Sequence, residues 1–149
     1  MNILLIDNEE SLLDLMEGLI RFSVDISDLN IEKAQKADEA KHLALQNGPE
    51  CVVIDPHFSD EWGLPLIKTI KEFKPKTFLI AFSNCSDAPC RGHCREQCLE
   101  AGANWHFDKT KDFMRVPQVI RELSRFVFVE EGQNPIRLRF KDVSGREML

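Results

Sequence analysis

Four short apolar runs in this sequence end in side chains suited to metal and phosphoryl chemistry. "NILLI" is followed by Asp7-Asn8-Glu9-Glu10, "CVVID" ends in Asp55, "TFLIAFS" ends in Ser83, and "NWHFDK" ends in Asp108-Lys109. Several oxygens brought together favour a hard cation such as Mg2+. A carboxylate beside that ion can attack a phosphoryl group, because the metal offsets the repulsion between like charges. A lysine and a hydroxyl can then bind the oxygens of the acyl phosphate that forms.

A second group is "NCSDAPCRGHCREQC", from Asn84 to Cys98, which carries four of the five cysteines and one of the four histidines. Cys90, Cys94 and Cys98 are spaced four apart. On one helix the outer two would be separated by a rise of about 12 Å, whereas a zinc–sulfur bond is about 2.3 Å. A single metal site would therefore need Cys85 and Cys90 from a loop, Cys94 or His93 from a helix start, and His57 from a neighbouring loop. Three readings stay open for this stretch: a metal site, a reversible disulfide (Cys85–Cys90 or Cys90–Cys94), and unligated thiols. Helical i,i+4 geometry strains the second pairing. Cys98 and Cys51 are expected in the core, Cys51 because it sits inside an apolar run.

Positioning these groups falls to an alternation of strands and helices. Asn2–Ile6, Leu29–Ala34, Cys51–Asp55, Thr77–Ser83 and Asn104–Lys109 read as strands. Ser11–Phe22, Ala37–Gly48, Leu64–Phe73, Gly92–Gly102 and Val116–Phe126 read as helices. Leu12, Leu13, Met16, Leu19 and Ile20 mark one helical face, Asn47-Gly48 is a stop signal, and Pro65 lies in a first turn, where proline is tolerated. Short, wholly apolar strands alternating with helices imply a parallel sheet covered on both faces, a doubly wound α/β fold. Such folds keep their ligands at the carboxyl ends of the strands. Residues 1–126 then form one domain. In residues 127–149, "FVFVEE" and "IRLRFKD" flank Gly132-Gln133-Asn134-Pro135, and Ile136, Leu138 and Phe140 alternate with Arg137, Arg139 and Lys141. Period two predicts a β-hairpin, used for packing or partner contact.

The bulk properties narrow the function class. The chain has 149 residues and a formal net charge of -6, enough to bury a core without staples and with no bias toward nucleic acid or membrane surfaces. No apolar run is long enough to span a bilayer, and the acidic start lacks a basic leader segment. A cytoplasmic setting is expected.

In the pieces "ILLIDNEE", "VVIDPHFSDEWGLPLIKTI", "LIAFSN" and "CLEAGANWHFDKTKDF", in this order and spacing, the chain resembles a response-regulator receiver domain, the phosphoacceptor of two-component signalling. The resemblance covers about Met1 to Phe126. It implies a flavodoxin-like five-stranded sheet of order 2-1-3-4-5, with Asp55 as phosphoacceptor, Ser83 as switch hydroxyl and Lys109 as phosphate-binding lysine. Asp7, Asn8, Asp55 and the backbone carbonyl of His57 would hold Mg2+. His106 stands where the family often has an aromatic switch. Partners would be a histidine kinase or phosphotransfer protein, and a downstream protein or a second copy of the chain. The departures are Asn8 in place of a second acid (with Glu9 as a nearby substitute), Thr110 after the lysine in place of proline, and His57 and Cys85 at the two positions that tune phosphate lifetime. Other readings on the same scaffold are a redox or metal sensor using Cys85, Cys90 and Cys94, and an interaction module with a vestigial pocket.

Overall fold

Strands and helices alternate five times in a computed structural model that describes residues 1–25, 27–59, 63–84 and 92–130, the last five by backbone alone. The strands are β1 (Asn2–Ile6), β2 (Asn30–Ala34), β3 (Cys51–Ile54), β4 (Phe78–Ser83) and β5 (Trp105–Asp108). The helices are α1 (Glu10–Ser23), α2 (Ala37–Gln46), α3 (Leu64–Phe73), α4 (Cys94–Ala101) and α5 (Arg115–Glu130). All pairings are parallel and the order is β2-β1-β3-β4-β5, the expected doubly wound sheet. Ile6 pairs with Ile54, so the residues that follow, Asp7 and Asp55, emerge side by side. Ser83 pairs with Asp108 at the same edge.

β1, β3 and β4 are apolar almost throughout because both of their faces are covered, and alternate residues go to different cores, whereas the edge strands β2 and β5 keep Asn30, Glu32 and Lys33, and His106 and Asp108. Ile3, Leu5, Val53, Ile80, Phe82, Trp105 and Phe107 pack on one side with Leu13, Met16 and Ile20 of α1 and Val116, Ile120 and Leu123 of α5. Leu4, Ile6, Val52, Ile54, Leu79 and Ala81 pack on the other with Ala40, Ala44, Ile67, Ile70, Cys94, Cys98, Ala101 and Ala103. The aromatics of the sheet thus lie toward α1 and α5, and the opposite face mixes aliphatic residues with alanine and cysteine. Cys51 and Cys98 are core residues, as their sequence positions suggested.

The far edge of the sheet is tied by Lys71. Its Nζ donates to the carbonyls of Thr77 (2.7 Å) and Pro75 (3.2 Å) and to Asn104 Oδ1 (3.3 Å), and that amide oxygen also accepts the Leu79 N–H at 2.8 Å. Desolvation lowers the pKa of Lys71, and no carboxylate is needed to hold it in place. Gly102 closes α4 at φ 117°, its N–H bonding back to Cys98 and Leu99.

The chain departs from expectation at its end. α5 continues to Glu130, so residues 127–130, taken as the first arm of a hairpin, are helical. Extending an existing helix gains a hydrogen bond for each residue fixed, whereas an isolated two-stranded hairpin is marginal. The remaining tail, residues 131–149, lies outside the described residues, as do Ile26, Asp60 to Trp62 and 85–91. No helix among the described residues is long and apolar enough to cross a membrane.

Gly102→Ala is expected to destabilise the fold by more than about 1 kcal/mol. Its φ disfavours any L side chain, and a Cβ there would approach Lys71 Cγ to 2.9 Å, pressing on the side chain that ties the sheet edge. Urea unfolding of the two chains measures the difference.

Candidate functional site

Parallel pairing of β1, β3, β4 and β5 brings Asp7, Asp55, Ser83 and Lys109 to one edge of the sheet. Asp7 is held where its N–H donates to Ala34, and Asp55 where its N–H donates to Ile6. Lys109 is anchored by its own N–H on the Ser83 carbonyl, 3.0 Å away. Its Nζ lies 2.7 Å from Asp7 Oδ2 and 2.7 Å from Asp55 Oδ2, and 5.8 Å from the centre of the Phe82 ring. A cation over an aromatic face at that range adds a further attraction. Each carboxylate spends its other oxygen on a backbone donor, Asp7 Oδ1 on the Glu9 N–H (3.0 Å) and Asp55 Oδ1 on the His57 N–H (2.8 Å).

Burial governs the electrostatics. Desolvation is the largest influence on Asp7 and raises its pKa above the ordinary 3.8, despite hydrogen bonds from Lys109 and Glu9 that lower it. For Lys109 desolvation works against the charge, but Asp55 and Asp7 together outweigh it and the pKa is raised. The lysine therefore stays protonated at neutral pH, and one positive charge faces two buried acids.

A hard cation fits this donor set. Two carboxylates with one lysine between them leave negative charge uncompensated, and all the donors are oxygens. Among the described residues no group of three or more His, Cys, Asp or Glu side chains is placed to hold a metal ion. A metal would thus depend on Asp7, Asp55, a backbone carbonyl and an uncharged side chain such as Asn8, with water completing the shell. Asn8 is exposed at the rim, its carbonyl accepting from Gln35 Nε2 at 3.2 Å, and Glu9 is exposed as well.

Ser83 is fully buried and its hydroxyl is engaged elsewhere. Oγ lies 2.8 Å from His106 Nε2 and 3.3 Å from Cys94 Sγ. His106 is therefore a direct partner of the hydroxyl. Of the sulfur cluster, Cys85 and Cys90 lie outside the described residues, and His93 is an exposed residue at the start of α4. Cys94 is buried, with Sγ 3.9 Å from Cys98 Sγ and 3.7 Å from His57 Nε2. The Cys98 contact and burial push its pKa up to about 12, which leaves a protonated, poorly nucleophilic thiol at neutral pH.

Two contributors escaped the sequence reading. Gly63, just ahead of α3, donates its N–H to the Pro56 carbonyl at 2.7 Å and closes the turn after Asp55. A Cβ at Gly63 would stand 2.8 Å from that oxygen, so only glycine permits the approach. A glycine immediately before Leu64-Pro65 was the available signal. Cys94 was considered as a ligand or redox thiol, and its contact with Ser83 had no signature in spacing.

Comparison with known proteins agrees with this geometry. A family model described as the response regulator receiver domain matches residues 3–121. No curated protein matches the sequence. Among solved structures, the chain is similar to the signal receiver domain of a DNA-binding response regulator from Colwellia psychrerythraea 34H (TM-score 0.72, 18% identity, covering 84% of this chain and 98% of that one). It is also similar to a CheY-like receiver domain protein from Methanospirillum hungatei JF-1 (TM-score 0.69, 20% identity, 88% and 98% covered). A third is a response regulator from Burkholderia pseudomallei solved with a phosphorylated aspartic acid, calcium ion and citrate (TM-score 0.66, 23% identity, 92% and 76% covered). At these identities the likeness shows the shared fold.

Asp7→Asn is expected to unfold at pH 7 no lower in temperature than the native chain. The raised pKa of Asp7 means that folding disfavours its charged form, so this cost is present above the folded-state pKa and disappears as pH falls through it. The asparagine carries no charge at any pH. Thermal melts between pH 4 and 7 should show the stability difference shrinking toward the acid end; a variant that melts well below the native chain at pH 7 would contradict the sign.

Proposed function

The chain belongs to the response regulator receiver domain family, and on that premise we propose that Asp55 accepts a phosphoryl group in the presence of Mg2+ and that the modified chain signals by protein contact. The observation that carries this reading is the placement of Lys109 Nζ at 2.7 Å from both Asp55 and Asp7, two buried acids at the ends of adjacent strands. The donor would be a histidine kinase or phosphotransfer protein in the cytoplasm. One carboxylate oxygen of Asp55 forms the new bond to phosphorus, the phosphorus–nitrogen bond of the donor phosphohistidine breaks, and the leaving imidazole takes up a proton.

Asp7, Asp55, the His57 carbonyl and Asn8 would hold the metal, which when bound offsets the repulsion between the Asp55 carboxylate and the incoming phosphoryl oxygens. The protein groups do the rest. The His57 N–H fixes the Asp55 carboxylate. Lys109, already charged and already beside Asp55, bonds a phosphoryl oxygen after transfer. Ser83 must turn from His106 to bond another, and its departure alters the packing between β4, β5 and α4. The chain thereby assists its own phosphorylation and dephosphorylation while remaining a phosphoacceptor. Downstream protein partners, or a second copy of the chain, would read the change at α4 and β5.

Intact mass after incubation with Mg2+ and a small phosphodonor tests the proposal. The native chain should gain one phosphoryl group, Asp55→Ala none, and chelation of the metal should suppress the gain. No gain in folded native protein, together with no metal-dependent turnover of the donor, would leave a receiver fold without phosphoryl chemistry.

A further inference from the structure

Ser83 has two partners in a buried corner formed by β4, β5 and the first residue of α4. Its hydroxyl touches His106 Nε2 at 2.8 Å and Cys94 Sγ at 3.3 Å. His106 is also among the groups that act on the Cys94 thiol, so the three side chains share one corner. Cys98 Sγ at 3.9 Å and His57 Nε2 at 3.7 Å complete the surroundings of the thiol. Ser83 and Cys94 are 0% and 1% exposed, which makes direct competition from water negligible.

The donor count in this corner is tight. A hydroxyl has one proton, a thiol has one, and a neutral imidazole nitrogen without a proton has none. With the His106 proton on Nδ1, one order satisfies all three: Cys94 S–H donates to Ser83 Oγ, and Ser83 O–H donates to His106 Nε2. If Ser83 spends its proton on a phosphoryl oxygen, His106 Nε2 loses its donor. An acceptor left unpaired in this partly buried corner is costly, and the Cys94 thiol, already beside Ser83, is the donor at hand.

We propose that Cys94 is a positioning residue for Ser83, holding the hydroxyl against His106 in the resting state and taking over the His106 nitrogen when Ser83 turns to the phosphoryl group. This rests on the phosphoacceptor reading above. The exchange keeps every polar group in the corner paired in both states. It also makes the first residue of α4 a participant in the switch, because the thiol must turn from Ser83 to His106 as the hydroxyl leaves.

The test uses the full chain with 15N-labelled histidine, titrated with beryllium fluoride and Mg2+ as a phosphoryl mimic, and with His106→Gln to assign the ring signals. In the native chain His106 Nε2 should keep the shift of a hydrogen-bonded acceptor before and after saturation. In Cys94→Ala the mimic should bind about three- to tenfold more weakly, and Nε2 should move to the position of an unbonded nitrogen on saturation. Cys94→Ser, which restores a donor, should return both readouts to near native. If alanine binds like the native chain, or serine fails as badly as alanine, Cys94 is a packing residue and the proposal is overturned. Should Cys94→Ala not fold, Cys94→Val fills the volume without a donor and carries the same expectations. A native chain that ignores the mimic overturns this proposal and the phosphoacceptor reading together, a failure visible before any Cys94 variant is measured.

Discussion

Two carboxylates buried at the ends of adjacent parallel strands repel each other, and Lys109 is what makes their proximity tolerable. Its ammonium reaches Asp7 and Asp55 at equal distances, and its own backbone is pinned to Ser83 one strand away. Chain separations of 102 and 54 residues are spanned by these two contacts. The sheet order β2-β1-β3-β4-β5 is what allows it. With β1 and β3 at the centre and β4 and β5 on one flank, the lysine after β5 lies close enough to reach back across β4. Any register slip would turn these residues to another face and leave the acids without a partner.

The balance between these charges is also why the site is responsive. A buried pair of acids with a single lysine is neither neutral nor comfortable, and desolvation already raises the Asp7 pKa. Extra positive charge is welcome there, and so is conversion of one carboxylate to a phosphorylated form whose oxygens Lys109 can share. The neighbouring corner is the opposite: Ser83 and Cys94 are buried and paired, with the half-buried His106 as the partner of the hydroxyl. An electrostatically unsettled site thus adjoins a corner of paired groups, and the proposed switch couples the two through Ser83.

Much of this was legible in the sequence. Four apolar runs gave four of the five strands because a doubly covered sheet favours apolar residues there, β2 is an edge strand with a weaker signal, and α3 falls on Leu64–Phe73 as its periodicity and first-turn proline indicated. The acids, hydroxyl and lysine were found because strand ends are where such folds carry chemistry. What sequence could not convey was orientation. Ser83 was assigned to the phosphoryl pocket, but its resting partners are His106 and Cys94, contacts that depend on side-chain rotamers and on the entry angle of α4. Gly63 was overlooked because its value lies in a close backbone approach that spacing does not record. The end of α5 was misplaced because "FVFV" carries strand propensity, and local propensity yields when an adjoining helix can simply propagate through it.

The two faces of the sheet differ in grain. Toward α1 and α5 stand Phe82, Trp105 and Phe107, bulky planar groups that interlock and leave few alternative arrangements. Toward α2, α3 and α4 stand Leu4, Ile6, Val52, Ile54 and Leu79, met by Ile67 and Ile70 of α3 but only by small side chains, Cys94, Cys98 and Ala101, from α4. Small side chains make shallow corrugations, and a helix resting on them can slide by a fraction of an ångström without forcing neighbours out of their rotamers. α4, which buries only Cys94, Cys98 and Ala101 beside Ser83, would therefore have less side-chain bulk to displace than α5 in any rearrangement of that corner.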